Sequence, residues 1–229
     1  MRAPNEPNWN QVAKAACEAF RAGVNDWIGK AQIQGGRVSG PNAELTPGSL
    51  TSASVFEPLM IEAMLKAKVP PEIARVIARE LWGAWKEWAD GFRMPLPGIY
   101  PQLAAFPGPM APPLPGRGAF PLSQGSSAGE PRLQAAALSM KLTAALRRHV
   151  KPGTGAQQAI EQVVKWVDTS FQEWKRMAQV NGLALLGRGP VPTFAPPYVP
   201  VGPVIGGDNL AAPGHLVAFI GPRFGKILL

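Results

Sequence analysis

The sequence carries the same five-residue pattern, S-x-x-E-P, at two places, and this repeat constrains the fold more than any other feature. It occurs at residues 54–58 and again at residues 127–131. In a capping box the serine hydroxyl accepts a hydrogen bond from the amide three residues later, while the glutamate returns to the serine amide. Proline is tolerated in the first turn of a helix. Each copy therefore predicts the start of a helix.

Two helices are predicted after each of these starts, because apolar residues recur there at helical spacing. They are Leu59, Met60, Ala63, Met64 and Ala67, then Ile73, Ile77, Leu81, Ala84, Trp85, Trp88 and Phe92 in the first half; and Leu133, Ala137, Leu138, Leu142, Ala145 and Leu146, then Ile160, Val164, Val167, Phe171 and Trp174 in the second. We therefore predict a tandemly duplicated helical hairpin, with one repeat at 54–126 and the other at 127–203.

Both hairpins are followed by stretches rich in proline. Residues 95–121 contain nine prolines and residues 190–203 contain six, and each stretch includes Ala-Pro-Pro. Proline has no amide hydrogen, so these stretches cannot continue a helix and favour extended, polyproline-like backbone. Apolar residues alternate with the prolines, and only Arg117 is charged, which is not typical of a solvated linker. We predict two extended arms that pack against protein.

The segments outside the repeats complete the prediction. Residues 1–53 are expected to hold an amphipathic helix, capped by Asn8 and ending near Gly29, and then a Gly/Pro loop. The loop pattern of residues 38–50 recurs without gaps at 204–216. Residues 216–220 predict a short strand within the apolar C-terminal segment 204–229, whose end is expected to pack on protein. The predicted fold class is mainly α: a duplicated helical hairpin with Pro/Gly-rich extended arms, an N-terminal helix and a short C-terminal β segment.

The sequence offers little for catalysis or metal binding. Its single cysteine, Cys17, excludes an internal disulfide framework, and its position on the apolar face of the first helix predicts a buried thiol. The two histidines, His149 and His215, stand in no nucleophile, metal or phosphate-loop motif. We therefore expect neither an enzyme nor a cofactor, a metal ion or a small-molecule substrate.

Apolar residues placed off the helical stripes or on the arms are the candidate partner contacts. Trp82 and Trp166 are rotated away from the main stripes, and tryptophan is the residue most enriched at interface hot spots. Both are therefore predicted to be exposed contacts. The arms and the C-terminal segment supply the other candidates, namely Phe106, Met110, Leu114, Phe194, Tyr198 and Leu228.

The net charge of +8 leaves two alternatives open. The densest basic run contains Arg147, Arg148 and Lys151, where we expect a helix to end, and cations there offset the helix dipole. The same residues would contact phosphates in a nucleic-acid-binding packaging protein. A membrane-associated protein with amphipathic helices is the other alternative, although acidic residues balance the basic ones at 54–94. No signal peptide or transmembrane segment is apparent.

The stretch at 105–113, Ala-Phe-Pro-Gly-Pro-Met-Ala-Pro-Pro, resembles segments of structural proteins from tailed bacteriophages. That resemblance implies a virion component of the capsid, connector or tail, which binds copies of itself and other particle proteins. It also implies that the chain is found in the virion, or in the host cytoplasm during assembly. Apolar helix faces, Pro-rich arms and the lack of a catalytic set predict the same class, a structural or assembly protein.

Overall fold

The computed structural model of the chain describes residues 7–33, 37–39, 42–96, 104–105, 120–150, 153–181, 186–188, 201–202, 206–209, 218–220 and 224–225. This part of the chain is mainly helical, which confirms the predicted class. Its α-helices are α1 (Trp9–Gly29), α2 (Glu57–Lys66), α3 (Pro71–Asp90), α4 (Ala135–Leu146) and α5 (Thr154–Met177). Two 3-10 turns cover Leu122–Gln124 and Glu130–Leu133.

The strands of the described residues are all short. They are β1 (Ala31–Ile33), β2 (Arg37–Ser39), β3 (Asn42–Leu45), β4 (Leu50–Ser52), β5 (Phe92–Leu96), β6 (Ala104–Ala105), β7 (Phe120–Pro121), β8 (Ser126–Ser127), β9 (Gln179–Asn181), β10 (Leu186–Arg188), β11 (Val201–Gly202), β12 (Gly206–Asn209) and β13 (Ala218–Ile220).

Helix α1 has the bounds that its sequence predicts. The Asn8 side chain accepts a hydrogen bond from the amide of Gln11 at 3.4 Å, and the helix ends at Gly29. The apolar stripe that begins at Trp9 is buried along its whole length. A Cβ atom at Gly23 would lie 2.7 Å from the ring of Phe56, so the segment before α2 approaches this helix closely.

The contacts among the five helices form a closed ring, in which each helix packs against the next one along the chain and α5 packs against α1. Helix α1 lies against α2 and α5, α3 lies against α2 and α4, and α4 lies against α5. The predicted hairpins are therefore present as α2–α3 and α4–α5, while α1 joins the first hairpin to the second. The buried faces of all five helices meet in one apolar core.

The predicted capping boxes are wrong at both helix starts. Helix α2 begins at Glu57, after Phe56, and no side chain caps it. The Ser54 hydroxyl instead donates to the carboxylate of Asp26 at 2.5 Å. The Ser127 hydroxyl donates to the carbonyl of Trp88 at 2.7 Å and accepts from the amide of Gly129 at 3.0 Å. Both serines are buried, and each joins its hairpin to an earlier helix rather than capping the next one.

The start of α4 is capped from a distant part of the chain. The carboxylate of Asp168, on α5, accepts a hydrogen bond from the amide of Ala135 at 2.9 Å. Lys175, also on α5, pairs with Glu130 at 2.6 Å, and both side chains are largely shielded from solvent. Contacts between α5 and the residues at the start of α4 therefore hold the second hairpin together. No local sequence pattern reveals these contacts.

Antiparallel strand pairs tie the C-terminal part of the chain to the helices. Strand β13 pairs with β9, which follows α5 directly, and β9 also pairs with β7. The strand predicted at 216–220 is thus confirmed at Ala218–Ile220. Two residues of the first Pro-rich stretch form β6, which pairs with β11 from the second.

Candidate interaction surfaces

A cluster of aromatic rings fills the centre of the helices, with Trp85 in its middle. Trp85 is fully buried and has seven aromatic neighbours with ring centroids between 4.8 and 6.5 Å away. They are Phe20, Trp27, Phe56, Trp88, Phe171, Trp174 and Phe224. The helical stripes predicted from the sequence supply most of these rings, so Trp85 and Trp88 of α3 form core and are not a platform for stacking ligands.

Phe224 joins this cluster from the C-terminal segment, and no sequence pattern indicated it. Its ring lies 5.7 Å from Phe20 and 6.1 Å from Trp174. The side-chain amide of Asn25 binds its backbone, since Oδ1 accepts from the Phe224 amide at 3.0 Å and Nδ2 donates to the carbonyl at 3.2 Å. Gly225 follows with a positive φ of +69°. The described part of the C-terminal segment is thus bound within its own chain.

The two tryptophans predicted as exposed contacts, Trp82 and Trp166, differ in how far their side chains are exposed. Trp82 is partly exposed, and its ring lies 4.7 Å from that of Phe56. Trp166 is only 7% exposed, so the prediction that it is an exposed contact is wrong. Its ring lies 6.1 Å from that of Phe224, which explains the burial: a residue far along the chain covers a position that helical spacing alone leaves on the outside.

The other predicted contacts fall largely outside the described residues. This holds for Phe106, Met110, Leu114, Phe194, Tyr198 and Leu228 among the partner contacts, and for Lys151 in the basic run. Arg147 and Arg148 are described and exposed. They follow the last residue of α4, Leu146, as predicted for cations at a helix C-terminus.

Large apolar side chains are exposed on the outer faces of α2 and α4. We predicted Leu59 on the buried stripe of α2, but it is 49% exposed, because Met60 and Met64 are the residues that face the core. Val55, just before this helix, is 56% exposed. On α4, Met140 is 69% exposed, more than any other large apolar residue among those described. These side chains are the best candidates for contacts with another protein.

A shallow groove runs between α3 and α4. Gly83 lies in it, and a Cβ atom there would meet nothing within 4 Å. The groove is lined by charged residues of both signs, and Glu87 pairs with Arg132 at 2.8 Å across one side of it. Such a mixed, open surface offers no enclosed pocket for a small molecule.

The acidic and thiol side chains of the described residues bear on the predictions for metal binding and for Cys17. They contain no group of three or more His, Cys, Asp or Glu side chains that could hold a metal ion. Cys17 is buried, as predicted, and burial raises the pKa of its thiol to about 12. A thiol in that environment stays protonated at neutral pH and is a poor nucleophile.

One carboxylate has an altered acidity for a structural reason. The hydrogen bond from Ser54, and then that from Lys30, lowers the pKa of Asp26 below its ordinary value. The carboxylate joins the end of α1 to the segment before α2, so it holds helices in place rather than serving as an acid or base.

None of the described helices is both long and apolar enough to cross a lipid bilayer. The sequence matches no protein-family model and no curated protein, and no solved structure matches the fold.

Proposed function

We propose that this chain is a non-enzymatic structural or assembly protein of a large multi-subunit particle. The particle we propose is a phage virion, in which the chain is a component of the capsid, connector or tail. Its partners would be copies of itself and other particle proteins, bound through apolar helix faces and the Pro-rich arms.

The observation that carries this proposal is the exposure of Leu59 and Met140 on the outer faces of two different helices. A single exposed apolar residue needs no explanation, since folded proteins expose much apolar surface. Here, however, each hairpin exposes a large apolar side chain on the shorter of its two helices. The Pro-rich stretches and the resemblance of residues 105–113 to phage structural proteins support the same class.

A charge placed on each face tests the proposal. We expect the wild-type chain to form a large species in light scattering, and the double variant Leu59→Lys/Met140→Lys to elute as a monomer with unchanged helix content. Gln158→Lys/Gln172→Lys, which adds the same charge at exposed positions of α5, is the matched control and should assemble normally. Equal assembly of both double variants would contradict the proposal.

Nucleic-acid packaging is the second candidate, because Arg147 and Arg148 are exposed at the end of α4. If these residues contact phosphates, the affinity for DNA should fall steeply with salt, with a log–log slope of about −0.9 for each phosphate contact. Replacing both arginines with glutamine should then flatten the slope by about two contacts. Affinity that is independent of salt would exclude this candidate.

A further inference from the structure

The Phe224 side chain is held in a socket that other parts of the chain build. Four aromatic rings from α1, α3 and α5 surround the Phe224 ring, with centroids between 5.7 and 6.1 Å away. They are Phe20, Trp85, Trp166 and Trp174. We call these rings, together with Asn25, the Phe224 socket. It buries the whole Phe224 side chain, although Phe224 lies near the end of the sequence.

The socket binds the backbone of Phe224 as well as its ring. The Asn25 Oδ1 atom accepts a hydrogen bond from the Phe224 amide at 3.0 Å, and Nδ2 donates to the carbonyl at 3.2 Å. Hydrogen bonds to the main chain combined with a pocket for one side chain are a general means of recognising a peptide segment. The socket therefore has the features of a peptide-binding site.

The residue after the phenylalanine must be a glycine. A Cβ atom at position 225 would lie 2.7 Å from the Trp166 ring and 3.1 Å from Cγ of Arg21. The φ of Gly225 is +69°, a conformation that residues with a side chain rarely adopt. The socket thus selects phenylalanine followed by glycine. That pair occurs once in the sequence, at 224–225, so a second copy of the chain would offer the same segment and no other.

The contacts of this segment do not depend on which copy supplies it. Besides the socket, the segment pairs through β13 with β9. The chain from Asn209, the end of β12, to Ala218, the start of β13, spans at most about 30 Å when extended. A helix with its side chains is about 10 Å across. The segment of one copy is therefore long enough to enter the socket of a neighbouring copy.

We propose that the Phe224 socket of one copy binds the Phe224–Gly225 segment of a second copy, and that copies are joined by exchange of their C-terminal segments. This inference rests on the proposed function and names the segment that joins neighbouring copies. Reciprocal exchange between two copies gives a dimer. Exchange from each copy to the next builds a ring if the rotation closes and a filament if it does not.

Exchange replaces each contact within a chain by the same contact between chains. Its free energy is therefore set by concentration. A segment on a short flexible link has an effective concentration in the millimolar range at its own socket. Neighbouring copies that are held side by side in a particle present their segments at comparable concentrations, so assembly favours exchange, whereas dilution favours the contact within one chain.

A peptide tests whether the socket binds a segment that is not part of the same chain. The full-length Phe224→Ala variant keeps every residue of the socket but lacks the ring that fills it. We expect a synthetic peptide of residues 218–226 to bind this variant saturably in a fluorescence titration. Peptides carrying Phe224→Ala or Gly225→Ala should bind at least about tenfold more weakly.

The wild-type chain is the matched control for the titration. Its own segment fills the socket, so it should bind the unchanged peptide at least about tenfold more weakly than the variant does. Equal binding of all three peptides, or no binding by a Phe224→Ala chain with native helix content, would overturn the proposed recognition.

Cysteine pairs test the exchange in chains that keep Phe224. Gln179 and Ile220 lie opposite each other in the β9–β13 pair. When Gln179→Cys and Ile220→Cys chains are mixed and assembled together, mild oxidation should give a covalent dimer, which neither variant forms alone. The matched control is a mixture of Gln32→Cys and Thr51→Cys chains, which lie opposite each other in the β1–β4 pair and should give no covalent dimer.

The outcomes separate this inference from the proposed function. A wild-type chain that assembles, while the mixture of Gln179→Cys and Ile220→Cys chains gives no covalent dimer, leaves the proposed function standing and overturns the exchange. A wild-type chain that is monomeric under all conditions and gives no covalent dimer overturns both. A covalent dimer from the mixture, together with peptide binding that requires both the phenylalanine and the glycine, supports both.

Discussion

Asn25 binds Phe224 through both ends of its side-chain amide, although the two residues are 199 positions apart in the chain. Its oxygen accepts a hydrogen bond from the Phe224 amide and its nitrogen donates one to the Phe224 carbonyl, as the backbone of a neighbouring strand would do. It thereby holds the backbone of the C-terminal segment where the Phe224 ring enters the aromatic cluster beside Trp85. Phe224, in the described part of the C-terminal segment, thus belongs to the helical core.

Removing the Phe224 ring should therefore destabilise the whole fold. We expect Phe224→Ala to lower the free energy of unfolding by about 3–5 kcal/mol, the usual cost of deleting a buried aromatic ring. Asn25→Ala should cost about 1–3 kcal/mol, because it leaves backbone groups without partners. Urea unfolding followed by tryptophan fluorescence measures both changes.

The matched control for this prediction is Met177→Ala, which removes an exposed apolar side chain. It should change the free energy of unfolding by less than about 0.5 kcal/mol. If Phe224→Ala were as mild as this control, the ring could not occupy the core of the isolated chain.

The hydrogen bond between Ser54 and Asp26 should make stability depend on pH. The pKa of Asp26 lies below its ordinary value of 3.8 in the folded state, so the carboxylate contributes stability at pH values above that. This contribution is lost as the pH falls through the lowered, folded-state pKa. We expect Ser54→Ala to cost about 1 kcal/mol near neutral pH. The cost should shrink in strong acid, where Asp26 is protonated in both states.

Unfolding curves of Ser54→Ala and the wild type, recorded at neutral and at acidic pH, test this coupling. Ser123→Ala, which removes an exposed hydroxyl, serves as the control. A difference between Ser54→Ala and the wild type that stays constant across the acid range would show that Asp26 does not carry the effect.

Two glycines should respond in opposite ways to the same substitution. At Gly129 a Cβ atom would lie 2.2 Å from the carbonyl oxygen of Glu87, and backbone cannot move aside cheaply. Gly129→Ala should therefore destabilise the chain by about 2 kcal/mol or more. Gly83 lies inside α3 with open space around it, so Gly83→Ala should stabilise by about 0.5–1 kcal/mol. Thermal unfolding of both variants measures whether each substitution lowers or raises the stability. A Gly129→Ala variant as stable as the wild type would contradict the close packing at Gly129.

The sequence predicts those parts of the fold that are determined by residues close together in the chain. The stripe of α1 and its cap at Asn8 are local features, and both are confirmed. Helix α3 is equally clear, because its apolar residues recur over five turns. The duplication of the hairpin stays a prediction, since the structure alone does not test a common origin.

The wrong predictions concern side chains whose contacts are made by residues far away in the chain. Ser54 and Ser127 fit the capping pattern, but Asp26 and the Trp88 carbonyl are better-placed partners once the helices pack. Trp166 faces outward on helical spacing alone and is covered only because Phe224 returns to it. Phe224 itself stands between a charged residue and a glycine, in no periodic pattern, so no local signal marks it as core.

The exposed faces could be predicted only in part. Sequence periodicity identified α2 as amphipathic, yet two adjacent residues, Leu59 and Met60, competed for the buried position. The angle at which α2 packs on α1 and α3 decides between them, and that angle depends on the whole bundle. Met140, by contrast, lies off the predicted stripe of α4, so helical spacing alone leaves it exposed.

Cys17 should be a reporter of unfolding rather than a reactive thiol. The side chain is buried, and its pKa is raised to about 12 by that burial, so almost no thiolate is present at neutral pH. We expect a thiol reagent to label the folded chain roughly a thousandfold more slowly, or slower still, than the chain in guanidinium. Rapid labelling without denaturant would show that α1 separates readily from its neighbours.

The central claim, that this chain functions as a subunit of a larger assembly, is tested most directly by the mass of the purified full-length protein in solution. Sedimentation velocity over a series of concentrations gives that mass. We predict species whose masses are multiples of 24.3 kDa and whose proportion grows with concentration. A single folded species of 24.3 kDa at every concentration would contradict the claim.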